Sequence, residues 1–148
     1  MKKQALPLLF LLLSLLLSLG AFAQTTTSYA VTGGSGTATT PTRISFDTSL
    51  AANQFLESGY GTACGNQTTQ ALGFVLLNGG EFGQGVCAVV TTQPVGSCGN
   101  LYAEFYGTDA SGVRFQGSVS LTTTCKYVHY RYSKTIYTVT GGTLTIAR

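Results

Sequence analysis

The sequence predicts an all-β fold: a small antiparallel β-sandwich or flattened barrel of about eight strands, with one short helical turn and two disulfides. Segments rich in Thr, Val, Tyr and Phe alternate between apolar and polar residues, which is the period of a strand with one buried face. Glycine clusters separate these segments at intervals of roughly ten residues, a spacing typical of small sandwiches and barrels. Helical periodicity is confined to one short stretch.

The N-terminal region has the three parts of a secretory signal peptide. Two lysines precede an apolar run from Leu8 to Leu19, and Ala21-Phe22-Ala23 provides a small-x-small cleavage site. The run is shorter than the roughly 20 residues that cross a bilayer, and no second run follows it. We therefore expect a signal peptide at residues 1–23 and a single β domain at residues 24–148. The mature protein should be secreted or periplasmic/extracellular, with no membrane span after cleavage.

The first part of the domain predicts two strands and the short helical stretch. The strands cover residues 28–32 and 37–47, and we interpret the cluster Gly33-Gly34-Ser35-Gly36 between them as a turn. Pro41 cannot donate to a β ladder, so it should break the second strand or place it at a sheet edge. Apolar residues of Ser49–Ser58 recur at helical spacing behind Ser49 as an N-cap, which predicts one or two helical turns.

Two hairpins are predicted in the middle of the chain. Residues 69–77 and 86–92 are apolar runs that flank Asn78-Gly79-Gly80, a strong turn signal. Residues 101–108 and 113–125 form the clearest hairpin, because both segments alternate between apolar and polar residues over most of their length.

The C-terminal region predicts three more short strands, at residues 127–132, 135–140 and 143–147. Ser133-Lys134 and Gly141-Gly142 are the expected turns between them. When the apolar residues of each alternating segment are placed inward, the following core is predicted: Ile44, Phe46, Leu72, Phe74, Leu76, Val89, Leu101, Phe105, Phe115, Val119, Leu121, Leu144 and Ile146.

The four cysteines all follow the predicted signal peptide. An even number of cysteines in an exported chain predicts two disulfides. A zinc site is disfavoured because no two cysteines have the C-x-x-C spacing. The cysteines are Cys64, Cys87, Cys98 and Cys125.

The pairing of the cysteines can be predicted from the clearest hairpin. A register counted from the turn at 109–112 places Cys98 diagonal to Cys125, within ordinary cross-strand reach. The pair Cys64–Cys87 then follows by elimination. Cys64–Cys98 with Cys87–Cys125 is the alternative if the first glycine hairpin is longer than predicted.

The charge balance argues against nucleic acid as a partner. The chain has 8 Lys+Arg and 5 Asp+Glu, and loss of Lys2 and Lys3 with the signal leaves a net charge of +1. A charge this small provides no bulk attraction to a polyanion such as DNA or RNA.

Residue types for catalysis are few and scattered. His129 is the only histidine, and no nucleophile motif accompanies it. We expect no cofactor and no bound metal, and the sequence leans against enzymatic activity. A small-ligand carrier barrel and, less favoured, a secreted hydrolase using carboxylates or His129 are the alternatives. The acidic residues available to such a hydrolase are Asp47, Glu57, Glu81, Glu104 and Asp109.

A contact surface is predicted near the C-terminus. Tyr127, His129 and Arg131 alternate along one predicted strand, so they should share a face, and Lys126 and Lys134 flank them. Tyrosine and arginine provide large contact areas at low entropic cost, which suits recognition of a surface glycan or a protein. The sequence therefore predicts a secreted, disulfide-stapled module that acts by contact at a cell surface, matrix or fibre.

Self-assembly by strand exchange is a further expectation. Thr25–Thr32 is short, uncharged and rich in residues that favour strands, and a glycine cluster follows it. Such a segment can add to the open sheet edge of a second copy.

Overall fold

The strands form one closed antiparallel barrel. A computed structural model of the chain describes residues 23–38, 42–58, 72–92 and 98–148. Each strand pairs with the next along the chain, and the last pairs with the first. The all-β prediction is confirmed, but the architecture is a closed barrel rather than a sandwich. The strands are β1 (Thr26–Ala38), β2 (Thr42–Thr48), β3 (Gln54–Ser58), β4 (Gly73–Leu77), β5 (Val86–Val90), β6 (Asn100–Thr108), β7 (Arg114–Tyr130) and β8 (Tyr132–Ala147).

Pairing between β1 and β8 closes the barrel. Residues 26–30 and 34–38 of β1 pair with β8, and β1 also pairs with β2 from Val31 onward. The turn predicted at residues 33–36 is therefore wrong, because these residues lie within β1. A Cβ on Gly34 would lie only 2.2 Å from the carbonyl oxygen of Ser45 on β2. Glycine at this position allows the two backbones to approach closely where the wall curves.

The two longest strands lie at the C-terminal end of the chain. β7 combines the strands predicted at 113–125 and 127–132, and the chain reverses at Arg131 rather than at Ser133-Lys134. β8 runs through Gly141-Gly142, which was predicted as a turn. The neighbouring strands pair with β8 on both sides and hold its backbone extended here. As in β1, glycine allows the strand to curve while this pairing is kept.

The helix predicted at Ser49–Ser58 is not present. Residues 54–58 are β3, which pairs with both β2 and β4, and residues 49–53 form the turn before it. Pairing along both edges of the segment outweighs its weak helical spacing. Within the described ranges, the helical turn is instead a 3-10 turn at Gly80–Phe82. No helix in those ranges is long and apolar enough to cross a membrane.

Buried apolar side chains pack together inside the barrel. Phe115 contacts both Phe82 and Phe105 edge-to-face, with ring centroids 5.1 Å and 6.5 Å away. Phe74 is also buried, but it does not belong to this central cluster. The predicted core residues that the central cluster contains are Ile44, Phe46, Leu101, Phe105, Phe115, Val119, Leu121, Leu144 and Ile146.

The inward faces of β4 and β5 differ from the prediction by one residue. Val75 and Leu77 belong to the central cluster, whereas Leu76 and Val89 are half-buried and Leu72 is 39% exposed. β4 is apolar on both faces, so its pattern does not show which face is inside. A shift of one residue exchanges the two faces of a strand, which is why the predicted phase is wrong here.

The predicted disulfide between Cys98 and Cys125 is confirmed, with 5.4 Å between the two Cα atoms. It forms although the register of β6 and β7 differs by one residue from the predicted one, since Thr108 pairs with Arg114. Both cysteines of this disulfide lie within the residues that the structure describes. Cys87 is also disulfide-bonded. Its predicted partner, Cys64, lies outside the described residues, as do residues 1–22 of the predicted signal peptide.

The barrel has two different ends. The loops at 49–53, 78–85 and 109–113 connect alternate strand pairs, so they lie at the same end. Thr25 and Arg148 exchange two backbone hydrogen bonds of 3.0 Å at this end as well. The reversal of β7 into β8 at Arg131 therefore lies at the opposite end.

Candidate contact surface

The β7–β8 hairpin extends past the other strands that the structure describes. Pairing of β7 with β6 ends at Thr122, and pairing of β8 with β1 ends at Thr135. The tip of the hairpin, residues 126–134, is called the distal hairpin below. Within the described ranges, β7 and β8 pair here only with each other. The segment that carries all three predicted contact residues is therefore a projecting two-stranded ribbon.

Tyr127 and His129 share one face of the distal hairpin, as predicted. Their rings are stacked, with centroids 6.3 Å apart and an interplanar angle of 20°. His129 Nδ1 shares a 2.8 Å hydrogen bond with the hydroxyl of Ser133, its cross-strand partner. Both side chains are exposed, Tyr127 to 64%. The stack and the hydrogen bond hold two aromatic rings in a defined orientation on an exposed ribbon.

Arg131 lies at the turn rather than on the strand face predicted for it. Tyr130 and Tyr132 pair with each other, so the chain reverses at the single residue between them. Arg131 has a φ of 50°, in the left-handed region that non-glycine residues adopt at turns. The Arg131 side chain is exposed at the tip. It is close in sequence to Tyr127 and His129 but does not continue their strand face.

The distal hairpin has a uniform positive charge. Its exposed basic residues are Lys126, Arg131 and Lys134, and residues 126–134 include no Asp or Glu. Described acidic residues lie elsewhere, and three of them form ion pairs with other basic residues. These ion pairs are Arg43–Glu57 at 2.8 Å, Arg148–Glu81 at 3.3 Å and Arg148–Asp109 at 2.7 Å. A chain with nearly balanced charge thus concentrates positive charge at one projecting tip.

The base of the hairpin is anchored. Cys125 is half-buried against the core, and its disulfide joins β7 to the residue two positions before β6. Tyr137, opposite Cys125 on β8, is buried in the central cluster. The disulfide and the buried Tyr137 ring fix the base of the ribbon on the barrel. A fixed base reduces the conformational entropy that a ligand bound at the tip would cost.

Three other tyrosines that the structure describes do not join this surface. Tyr137 points into the core, whereas Tyr102 and Tyr106 lie on the outer wall of β6 and are 44% and 54% exposed. The face on which each ring lies depends on strand phase and on the β7–β8 register. Among the residues whose side chains the structure describes, the exposed tyrosines therefore lie on two separate surfaces.

The acidic residues considered for hydrolysis have structural contacts. Asp109 accepts hydrogen bonds from the backbone N–H groups of Ser111 and Val113, and Asp47 accepts one from Asn53. The Val113 N–H, together with the Arg148 guanidinium and the Ser111 N–H, lowers the pKa of Asp109 from its ordinary value despite burial. No group of three or more His, Cys, Asp or Glu among the described residues could hold a metal ion.

Comparisons with protein-family models, with curated proteins and with solved structures found no match for this chain. The geometry alone therefore characterises this protein, as a small closed antiparallel barrel with a disulfide-anchored, basic and aromatic hairpin at one end.

Proposed function

We propose that this protein is an exported contact module that binds an acidic polysaccharide through the distal hairpin. The observation that carries the proposal is the exposed Tyr127–His129 stack on a ribbon with three basic side chains and no acidic one. Aromatic faces pack against sugar rings, while lysine and arginine pair with carboxylate or sulfate groups. Export rests on the N-terminal sequence pattern and fits the presence of a disulfide.

The carrier and hydrolase alternatives have less support. A cluster of buried apolar side chains packs together inside the described part of the barrel, where a carrier needs a lumen. His129 is hydrogen-bonded to Ser133 rather than to a carboxylate, and Asp109 is bonded to the turn and to Arg148. Neither alternative explains why basic side chains are concentrated on a projecting ribbon.

The experiment compares dextran sulfate with dextran, which share a backbone and differ in charge, and includes alginate as a carboxylated probe. Wild type should bind both acidic polymers more tightly than dextran, and added salt should weaken that binding. Tyr127→Ala combined with Arg131→Ala should weaken it about tenfold or more. Tyr127→Phe should retain most of the affinity, because the ring rather than the hydroxyl makes the contact.

The control is Val113→Ala, which removes an exposed apolar side chain from the β6–β7 turn at the opposite end of the barrel. This variant should bind the acidic polymers like wild type, and circular dichroism should show it and the double variant folded. Equal losses in the two variants would place the site elsewhere. Wild-type protein that prefers neither acidic polymer over dextran would contradict the binding of an acidic polysaccharide by the distal hairpin.

Strand exchange through Thr25–Thr32 remains a separate proposal. Residues 26–30 pair with β8 of the same chain, while pairing with β2 begins only at Val31. The opposite edge of residues 26–29 is therefore outside the β1–β2 ladder, and exchange would require the β8 pairing to re-form with a second copy. A ladder of oligomers in native mass spectra supports exchange, whereas a strict monomer opposes it.

A further inference from the structure

A second surface lies on the outer wall of β6, β7 and β8, away from the distal hairpin. Two open depressions of about 550 and 500 Å³ adjoin each other, because both are lined by Tyr106, Gln116 and Ala147. We call this surface the outer-wall groove.

The floor of the outer-wall groove consists of small and polar side chains in cross-strand rows. One row runs from Tyr106 through Gln116 to Ala147, following direct register pairs across three strands. The next row runs from Glu104 through Ser118 to Thr145 in the same way. Residues directly opposite each other on one face lie about 5 Å apart, so the hydroxyl and amide groups form a closely spaced array.

Tyrosine rings rise beside this floor. Tyr102 and Tyr106 are the exposed aromatic residues of β6, and four residues along a strand span about 13 Å. The rings thus stand at a separation that several consecutive sugar units can bridge. Rigid aromatic side chains at low entropic cost, interleaved with hydrogen-bonding groups, suit the alternating apolar faces and hydroxyl edges of a saccharide.

The charges in the groove favour a neutral ligand. Glu104 accepts a 2.8 Å hydrogen bond from the Tyr102 hydroxyl. This hydrogen bond raises the pKa of Tyr102 from its ordinary value. Arg114 lines the other end of the groove. One carboxylate and one guanidinium leave no net charge, in contrast to the uniformly basic distal hairpin.

From this arrangement we infer that the outer-wall groove binds a neutral polysaccharide chain, with Tyr102 and Tyr106 stacking on sugar rings. Gln116, Ser118 and Thr145 hydrogen-bond to sugar hydroxyls from the floor between the rings. This inference is independent of the proposal for the distal hairpin, because the two surfaces share no residue and differ in charge. A protein with both surfaces would bridge a neutral and an acidic polymer.

Affinity electrophoresis in gels that contain soluble β-1,4-glucan, β-1,3-glucan or α-1,4-glucan tests the inference. At least one of these neutral glucans should retard the wild-type protein. Tyr102→Ala combined with Tyr106→Ala should reduce the apparent affinity about fivefold or more, since aromatic contacts dominate such interfaces. Tyr102→Phe combined with Tyr106→Phe should keep most of the retardation and so separate ring stacking from a hydroxyl contact.

The matched control is Tyr127→Ala, which removes an exposed tyrosine from the distal hairpin and should leave glucan binding unchanged. Thermal melts of each variant show whether the fold is retained. Retardation by none of the three glucans, or undiminished retardation of the double alanine variant, would overturn the inference. Loss in Tyr127→Ala and not in the β6 variant would assign glucan binding to the hairpin and overturn it too.

Discussion

Arg148 and Asp109 form an ion pair at the end of the barrel that carries the β6–β7 turn, with Nη1 of Arg148 2.7 Å from Oδ2 of Asp109. Asp109 is buried in the β6–β7 turn, and Arg148 follows β8 directly. The guanidinium also lies over the ring of Phe82, 4.9 Å from its centroid, and 3.3 Å from Glu81. Side chains from the β4–β5 loop, the β6–β7 turn and the end of β8 thus close the core at this end.

Stability should fall in acid as Asp109 becomes protonated. Because the folded-state pKa of Asp109 is lowered, its contribution to stability is present above the unfolded-state value of about 3.9 and is lost as pH falls through the folded value. Asp109→Asn should lower the melting temperature at pH 7 by several degrees. The difference from wild type should stay nearly constant from about pH 6 to about pH 5 and shrink as the pH falls below about 4.

Thermal melts of wild type and Asp109→Asn across this pH range provide the measurement. Glu104→Gln is the control, since it also neutralises one carboxylate but does so at an exposed position on the outer wall. A gap between wild type and Asp109→Asn that stays constant with pH would show that the charge of Asp109 is not what stabilises the turn.

The curved part of β1 should tolerate a methyl group at one glycine and not at the next. A Cβ on Gly34 would lie 2.2 Å from the Ser45 carbonyl oxygen, whereas a Cβ on Gly33 has no neighbour within 4 Å. Gly34 also has a φ of 149°, which side chains rarely adopt. Gly34→Ala should cost about 2 kcal/mol or more in the free energy of unfolding, and Gly33→Ala less than about 1 kcal/mol.

Chemical denaturation of both alanine variants measures these costs. The pair is closely matched, because the substitution is the same and the two positions are adjacent. Equal destabilisation by the two changes would show that β1 and β2 do not approach at Gly34 as described, and would favour the turn expected from the sequence.

Loss of the Cys98–Cys125 disulfide should weaken the whole domain. The bond joins residues 27 positions apart and limits the freedom of the unfolded chain. Cys98→Ser combined with Cys125→Ser should therefore lower the free energy of unfolding by about 2–4 kcal/mol. An unchanged denaturation midpoint in the double variant, with wild type confirmed as oxidised by mass, would contradict this expectation.

Local patterns in the sequence determine much of this structure. Alternation in 101–108 and 113–125 predicts the β6–β7 hairpin and places Phe105, Phe115 and Val119 inside, as the structure shows. It also brings Cys98 close enough to Cys125 for the disulfide. These features depend on side-chain period and on a short turn, and both are encoded by neighbouring residues.

The other features of the fold depend on pairing between strands that are distant in the sequence. Glycine pairs at 33–34 and 141–142 are equally compatible with a turn and with a sharply curved strand, and only the approach of β2, β7 and β8 selects the strand. The phase of β4 is ambiguous in its own apolar sequence and is set by the strands on either side. Barrel closure fixes which face of β6 lies outside and so forms the outer-wall groove, since a shift of one residue would bury Tyr102 and Tyr106. The distal hairpin depends instead on the β7–β8 pairing, which continues past the pairing of either strand with β6 or β1. Sequence composition supplies these residues, but only pairing between strands brings them together on a surface.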